Sequence, residues 1–100
     1  MPGVNYVASG SEDKEVVFTA TGKPQVLGWV QVSNAGLGEA LVGIYIAGSS
    51  ATHVLIPPKA FDPGESFPFP CAPTLNIGDE IQVDCDQAGV TFHFSLAESK

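Results

Sequence analysis

Arginine is absent from this chain, and only four lysines (Lys14, Lys23, Lys59, Lys100) oppose eleven aspartates and glutamates. Arginine is the preferred fork for phosphates and base edges, and a polyanionic duplex repels an acidic surface. A formal net charge of −7 therefore argues against a nucleic-acid partner and favours basic or neutral polar ones. Also missing is any apolar run near the ~20 residues of a membrane helix, so no membrane partner is expected. The opening stretch Met1-Pro2-Gly3-Val4-Asn5-Tyr6 has no basic region and no long apolar core, so no export signal is expected.

Cysteine and histidine are scarce. Cys71 and Cys85 could pair, but without an export signal two reduced thiols are the expectation. Cys85 falls in the inward phase of its segment and reads as a small buried hydrophobe. The two histidines, His53 and His93, lie in no recognisable catalytic motif, and no nucleophile, base and orienting acid form a set. Ser95 shares a strand face with His93, but that spacing is common. The expectation is a protein that is not an enzyme and needs neither cofactor nor metal.

No stretch carries a helical period over ten residues. What is present is a period of two. Val90, Phe92, Phe94 and Leu96 point one way, and Thr91, His93, Ser95 and Ala97 the other. Upstream, Ile81, Val83 and Cys85 alternate with Glu80, Gln82, Asp84 and Asp86. These are half-buried antiparallel strands. The intervening Asp86-Gln87-Ala88-Gly89 reads as the turn of a hairpin, which would set His93 opposite Asp84 or Gln82. Such a pair could form a cation site or a pH-sensitive contact. An ordinary cross-strand pair worth about 1 kcal/mol or less is the simpler expectation. Glu12-Asp13-Lys14-Glu15 likewise reads as a solvated entry to the first strand.

Turn residues punctuate the rest: Gly22-Lys23-Pro24, Asn34-Ala35-Gly36, Gly48-Ser49-Ser50, Asp62-Pro63-Gly64-Glu65 and Asn76-Ile77-Gly78-Asp79. Asp-Pro-Gly-Glu fits a type II turn, with Pro63 presetting φ and Gly64 taking the positive φ. Strands are expected at residues 15–20, 25–34, 40–47, 51–56, 65–69, 79–85 and 89–97. About seven short strands in a chain of 100 residues predict an all-β, antiparallel fold, a β-sandwich or a jelly roll. The domain spans 13–98, with 1–12 as an N-terminal arm. In Ser66-Phe67-Pro68-Phe69-Pro70 the prolines cannot donate to a ladder, which predicts an edge strand with its phenylalanines toward the core. Ile56-Pro57-Pro58 is expected to end the strand before it.

Two segments, Gln25–Asn34 and Ala40–Ala47, are apolar on both faces, with Val30 and Val32 set against Leu27 and Trp29. Both faces then need cover from a second sheet or another subunit. Trp29 and Tyr45 are either core or aromatic anchors for a subunit or a sugar. A sugar-binding module would use these two rings as its platform, but the sequence around Trp29 is poor in planar polar groups. The candidate interface residues are Val4, Tyr6 and Val7 of the arm, with Leu27, Trp29, Tyr45 and His93.

From about Tyr6 to Glu98 these motifs resemble those of small accessory virion proteins of tailed bacteriophages. The resemblance rests on Trp29-Val30-Gln31-Val32-Ser33-Asn34, Gly43-Ile44-Tyr45-Ile46-Ala47-Gly48 and Asp62-Pro63-Gly64-Glu65-Ser66-Phe67. It continues through Leu75-Asn76-Ile77-Gly78-Asp79-Glu80-Ile81-Gln82-Val83 and the turn Ala88-Gly89-Val90. The residues that carry over are the turn glycines Gly64, Gly78 and Gly89. Pro68, Pro70 and Pro73 depart from the plainer strand usual there. The resemblance implies a capsid decoration (cement) protein made in the host cytoplasm. It would bind the major capsid protein of an assembled shell, as a homotrimer at local three-fold positions. A tail or fibre component is the alternative it leaves open.

Overall fold

Alternating side chains and frequent turn residues fold here into nine antiparallel strands among the described residues. The computed structural model describes residues 3–10, 14–48, 52–70 and 73–98. Cys71 and Ser49-Ser50 therefore lie outside the described residues. The strands are β1 (Gly3–Ser9), β2 (Glu15–Thr19), β3 (Gln25–Asn34), β4 (Ala40–Ala47) and β5 (Thr52–Phe61). They continue as β6 (Ser66–Pro70), β7 (Thr74–Leu75), β8 (Glu80–Cys85) and β9 (Ala88–Glu98).

Pairing is nested: β1 with β9, β2 with β8, β3 with β6, and β4 with β5. The pairs β3–β9 and β4–β8 join these ribbons into two sheets. The front sheet has the order β1-β9-β3-β6, with the two-residue β7 also on β3, and the back sheet has the order β2-β8-β4-β5. A long ribbon folded over on itself in this way is a jelly roll, and β1 and β7 are strands beyond the seven expected.

The core lies between the sheets. Val30 and Val32 of β3 and Val90, Phe92, Phe94 and Leu96 of β9 meet Val42 and Ile44 of β4 and Ile81, Val83 and Cys85 of β8. Each fully buried Phe, Leu or Ile contributes roughly 1.5–3 kcal/mol. Cys85 is the buried small hydrophobe expected, its thiol donating to the Gln87 carbonyl at 3.2 Å. Burial pushes that thiol's pKa up.

Three sequence expectations are corrected. First, Gly3–Ser9, read as part of an arm, is an edge strand of the front sheet. Val4 and Tyr6 pack inward against the core, so the alternation of Val4, Tyr6 and Ala8 was a strand signal. Second, β8 and β9 do not form a hairpin. The turn between them crosses from the back sheet to the front sheet, and local alternation is the same for a hairpin and for such a crossing. Third, β5 runs through Pro57 and Pro58 instead of stopping before them. It is an edge strand, so a missing N–H can face solvent, and register shifts against β4 take up the distortion.

The expected edge strand Ser66–Pro70 is present. Phe67 and Phe69 stand opposite Val32 and Val30 on the inner side. Both rings meet Phe61 edge-on at 6.1 Å, although Phe67, on the edge strand of the sheet, stays 39% exposed. The Asp62–Glu65 turn forms as expected, with Gly64 at φ 85° and the Glu65 N–H donating to the Asp62 carbonyl at 3.0 Å.

One end of the roll is fastened by Asn34, the buried polar side chain among the described residues. Its amide donates to the carbonyls of Gly38 (3.0 Å) and Phe61 (2.9 Å), and its carbonyl accepts from the Gly36 N–H (3.0 Å). The backbone of Asn34 also holds the Asp62–Glu65 turn through Glu65 O and Gly64 N. Every strong polar atom that folding hides there is satisfied. A Cβ at Gly36 would stand 2.8 Å from the Ala88 carbonyl oxygen, so this loop needs glycine to sit against the β8–β9 turn.

Candidate functional site

The outer face of the front sheet is a small grid. Register places Ser95, Trp29 and Pro70 in one row, Asn5, His93, Gln31 and Pro68 in the next, and Val7, Thr91, Ser33 and Ser66 in the third. Opposed residues share a face of the sheet, so these side chains all point outward. Between the second and third rows lies an open groove of about 270 Å³, lined by Asn5, Val7, Gln31, Ser33, Thr91 and His93 above the backbone of Tyr6 and Phe92.

Trp29 reaches this face because β3 is bulged. Leu27 opposes Leu96 but Trp29 opposes Ser95, which leaves Gly28 as an extra residue. The bulge turns Leu27 inward to complete burial while Trp29 stays outward and 39% exposed. The indole lies beside the His93 imidazole, with ring centroids 5.6 Å apart and planes inclined at 55°.

The groove's polar groups hold one another in place. Asn5 Oδ1 can only accept, so His93 Nδ1 donates to it at 2.6 Å, which leaves Nε2 as the imidazole's acceptor. Gln31 Nε2 donates to Ser66 Oγ at 2.5 Å, and Ser66 Oγ meets Ser33 Oγ at 2.8 Å. Thr91 Oγ1 donates to the Ser33 carbonyl at 3.4 Å. No lining residue carries a formal carboxylate or ammonium. The outward acids Glu80 and Asp84 stand on β8 of the back sheet instead.

The sequence-derived interface residues therefore divide. Trp29 and His93 come together on the front face, and Val7, 62% exposed, stands at its edge. Val4 and Tyr6 are half-buried on the inner side of β1, and Leu27 is core, which corrects their assignment to a contact surface. His93 faces neither Asp84 nor Gln82, because those belong to the other sheet, and its neighbours are Asn5 and Gln31. His53, on β5, is likewise in the back sheet. The sequence reading missed Asn5, Gln31, Ser33 and Thr91 as one cluster. They come from three strands far apart in the chain, so no local pattern links them.

Tyr45 is outward on the back sheet yet only 6% exposed. Its ring lies along β4 over Gly43, where a Cβ would meet the hydroxyl at 2.5 Å. Lys14 Nζ sits 4.2 Å from the ring centre, and the hydroxyl donates to Asp84 Oδ2 at 3.4 Å. The chain itself covers this ring, so Tyr45 is corrected as an anchor. The row Val16, Gln82, Tyr45, Val54 nevertheless leaves Val16 (50%) and Val54 (57%) open on that side.

At the β1–β2 edge the sandwich is closed by a polar clasp. The Tyr6 and Ser9 hydroxyls both donate to the Glu15 carboxylate, the Ser9 bond being 2.8 Å long. Burial, then the bond to Glu15 and its charge, push the Tyr6 phenol up to about 12. The two hydroxyls hold the Glu15 carboxyl below its usual range. Among the described residues no three His, Cys, Asp or Glu side chains gather as ion ligands.

No family model and no curated protein sequence matches the chain. Solved structures do. A chain of the T13 IBDV viral particle superposes with a TM-score of 0.58 at 8% identity, over 97% of this chain and 30% of that one. A pentameric capsid protein isolated from metagenomic phage sequences superposes with a TM-score of 0.50 at 16% identity, over 96% of this chain and 62% of that one. The chain thus spans less than two thirds of either protein. What it shares with these viral proteins is the all-β, two-sheet fold.

Proposed function

We propose that the chain is a non-enzymatic structural protein of a virion, a jelly-roll unit that docks as an oligomer on a shell of major capsid protein and braces it as a decoration (cement) protein. The observation that carries this reading is the nested order β1-β9-β3-β6 over β2-β8-β4-β5, in a fold shared with a viral particle protein and a phage capsid protein. One fold hosts many functions, so the surface must fit as well. An acidic chain without arginine stays off packaged nucleic acid. Val16, Leu41 and Val54 leave apolar side chains open on the back sheet, with Glu80 and Asp84 among them. That mixture suits a neighbour presenting apolar and basic groups.

The mechanism is mechanical. A unit that binds the assembled shell and not its free subunits adds its binding free energy to the assembled state. Several linked copies grip more firmly than one, because later contacts become intramolecular. The phage resemblance implies three copies, and the capsid protein with the same fold is pentameric. Light scattering of the purified chain gives the number, and a monomer at micromolar concentration overturns the oligomer. Quantitative mass spectrometry of particles from the virus that encodes the chain tests the role. A copy number near that of the major capsid protein is expected. A few copies per particle, or none, overturns it.

A further inference from the structure

We propose that the outer face of the front sheet binds a neutral oligosaccharide, one sugar stacked on the Trp29 ring beside His93 and the next in the adjoining groove, with Asn5, Gln31 and His93 as the hydroxyl-reading groups. This goes beyond a structural role and does not depend on it. A pyranose ring is amphipathic: its C–H face is weakly positive and apolar, and its rim carries hydroxyls that both donate and accept. The negative face of an indole suits the first. A mixed set of donors and acceptors suits the second, and the groove supplies one. Asn5 has its amide N–H groups to offer, because Oδ1 is taken by His93. His93 Nε2 and Gln31 Oε1 remain as acceptors, because Nδ1 and Nε2 of these residues are spent on Asn5 and Ser66.

The internal bonds matter as much as the free valences. They fix the imidazole tautomer and the amide orientations before a ligand arrives, which lowers the ordering cost of binding. The groove's volume of about 270 Å³ is close to the lower end for small-molecule sites, about 300 Å³. Charge discriminates the ligand class. The lining holds no charged side chain, and the chain is acidic overall, so an anion gains no partner and a cation would be drawn to the acids of the back sheet. The structure also removes the sequence-based objection to a sugar site. The planar groups missing around Trp29 along the chain are supplied across the sheet, and Tyr45 is not part of the platform.

Isothermal titration calorimetry of the full chain tests this with neutral oligosaccharides of glucose, galactose, mannose and N-acetylglucosamine, and with a sialylated oligosaccharide as the anionic control. Saturable binding of at least one neutral sugar is expected. Trp29→Ala should weaken it by at least about tenfold and Trp29→Phe by less, since the latter keeps a ring. Gln31→Ala, a change on the exposed face that leaves the core alone, should also weaken it by about tenfold, which keeps the test decisive if the tryptophan variant folds poorly. Leu37→Ala, at a fully open loop position, should leave it unchanged. The same glycan on a carrier protein should bind with the site affinity of the free sugar, and binding to the conjugate alone would overturn the groove as the site. No binding across the neutral panel, binding of the sialylated sugar alone, or full binding by the Trp29 and Gln31 variants would each overturn the proposal. So would an oligomer that Trp29→Ala converts to monomer in a chain that binds no sugar, which would give this face to a second copy.

Discussion

Leu27 and Trp29 are two residues apart on one strand, yet they face opposite sides of the front sheet, one completely buried and the other 39% exposed. Gly28 is the inserted residue that separates them. The bulge thereby gives the core one more leucine and the surface its tryptophan.

The two side chains should therefore differ sharply in what they contribute to stability. Leu27→Ala removes a fully enclosed side chain and is expected to cost about 2–5 kcal/mol. Trp29→Ala is expected to cost no more than about 1 kcal/mol, as at other open positions. Urea unfolding followed by circular dichroism measures both. Equal losses would mean that the inversion at Gly28 is wrong.

Asn34 gives a second expectation. Replacing it with alanine strands the carbonyls of Gly38 and Phe61 and the N–H of Gly36 in a buried corner. The cost is about 3 kcal/mol, above that of an ordinary surface change. Asn34→Asp should be nearly as harmful, since a carboxylate cannot donate to the two carbonyls. Stability of Asn34→Asp close to that of the parent would show that the donor bonds carry little.

The clasp between Tyr6 and Glu15 makes stability depend on pH at both extremes. Glu15 is held below its ordinary 4.5, so its contribution is present above that value and is lost as pH falls through the lowered one. Tyr6 is raised from 10.0 to about 12, so its contribution is complete below 10 and is lost as pH rises through 12. Tyr45, also raised by burial and then by Asp84, adds to the alkaline side. In Tyr6→Phe both limbs of a melting-temperature profile should become shallower. An unchanged acid limb would remove the hydroxyl as the group that holds Glu15.

Gly43 is the seat on which Tyr45 lies. Gly43→Ala forces the hydroxyl away, and Tyr45 can swing outward because its far end is what clashes. In a Tyr6→Phe background Tyr45 is the remaining phenol, so an ultraviolet titration reads it directly. Its transition should move back down toward 10.0, with a loss of about 1 kcal/mol in stability. A transition that stays raised would mean that another group covers the ring.

The strands of the core were legible because their information is local. Ile81, Val83 and Cys85, then Val90, Phe92, Phe94 and Leu96, each show their inward side by parity alone, and the structure buries all of them. The turn chemistry of Asp62–Glu65 was legible for the same reason. The candidate groove was not. Asn5 lies eighty-eight positions from His93, and only the pairing of the first strand with the last brings them within bonding distance.

Sequence alone determined the all-β class, the inward phase of most strands and the acidic, arginine-free character of the surface. Those properties depend on residue type and on neighbours one or two positions away. Only the tertiary structure decided which strands share a sheet, that the Asp86–Gly89 turn crosses between sheets, and that Gly28 reverses the facing of Leu27. It also decided that Tyr45 is shielded while Trp29 is open. A ladder is closed by hydrogen bonds between distant segments, and identical local alternation is compatible with several such closures.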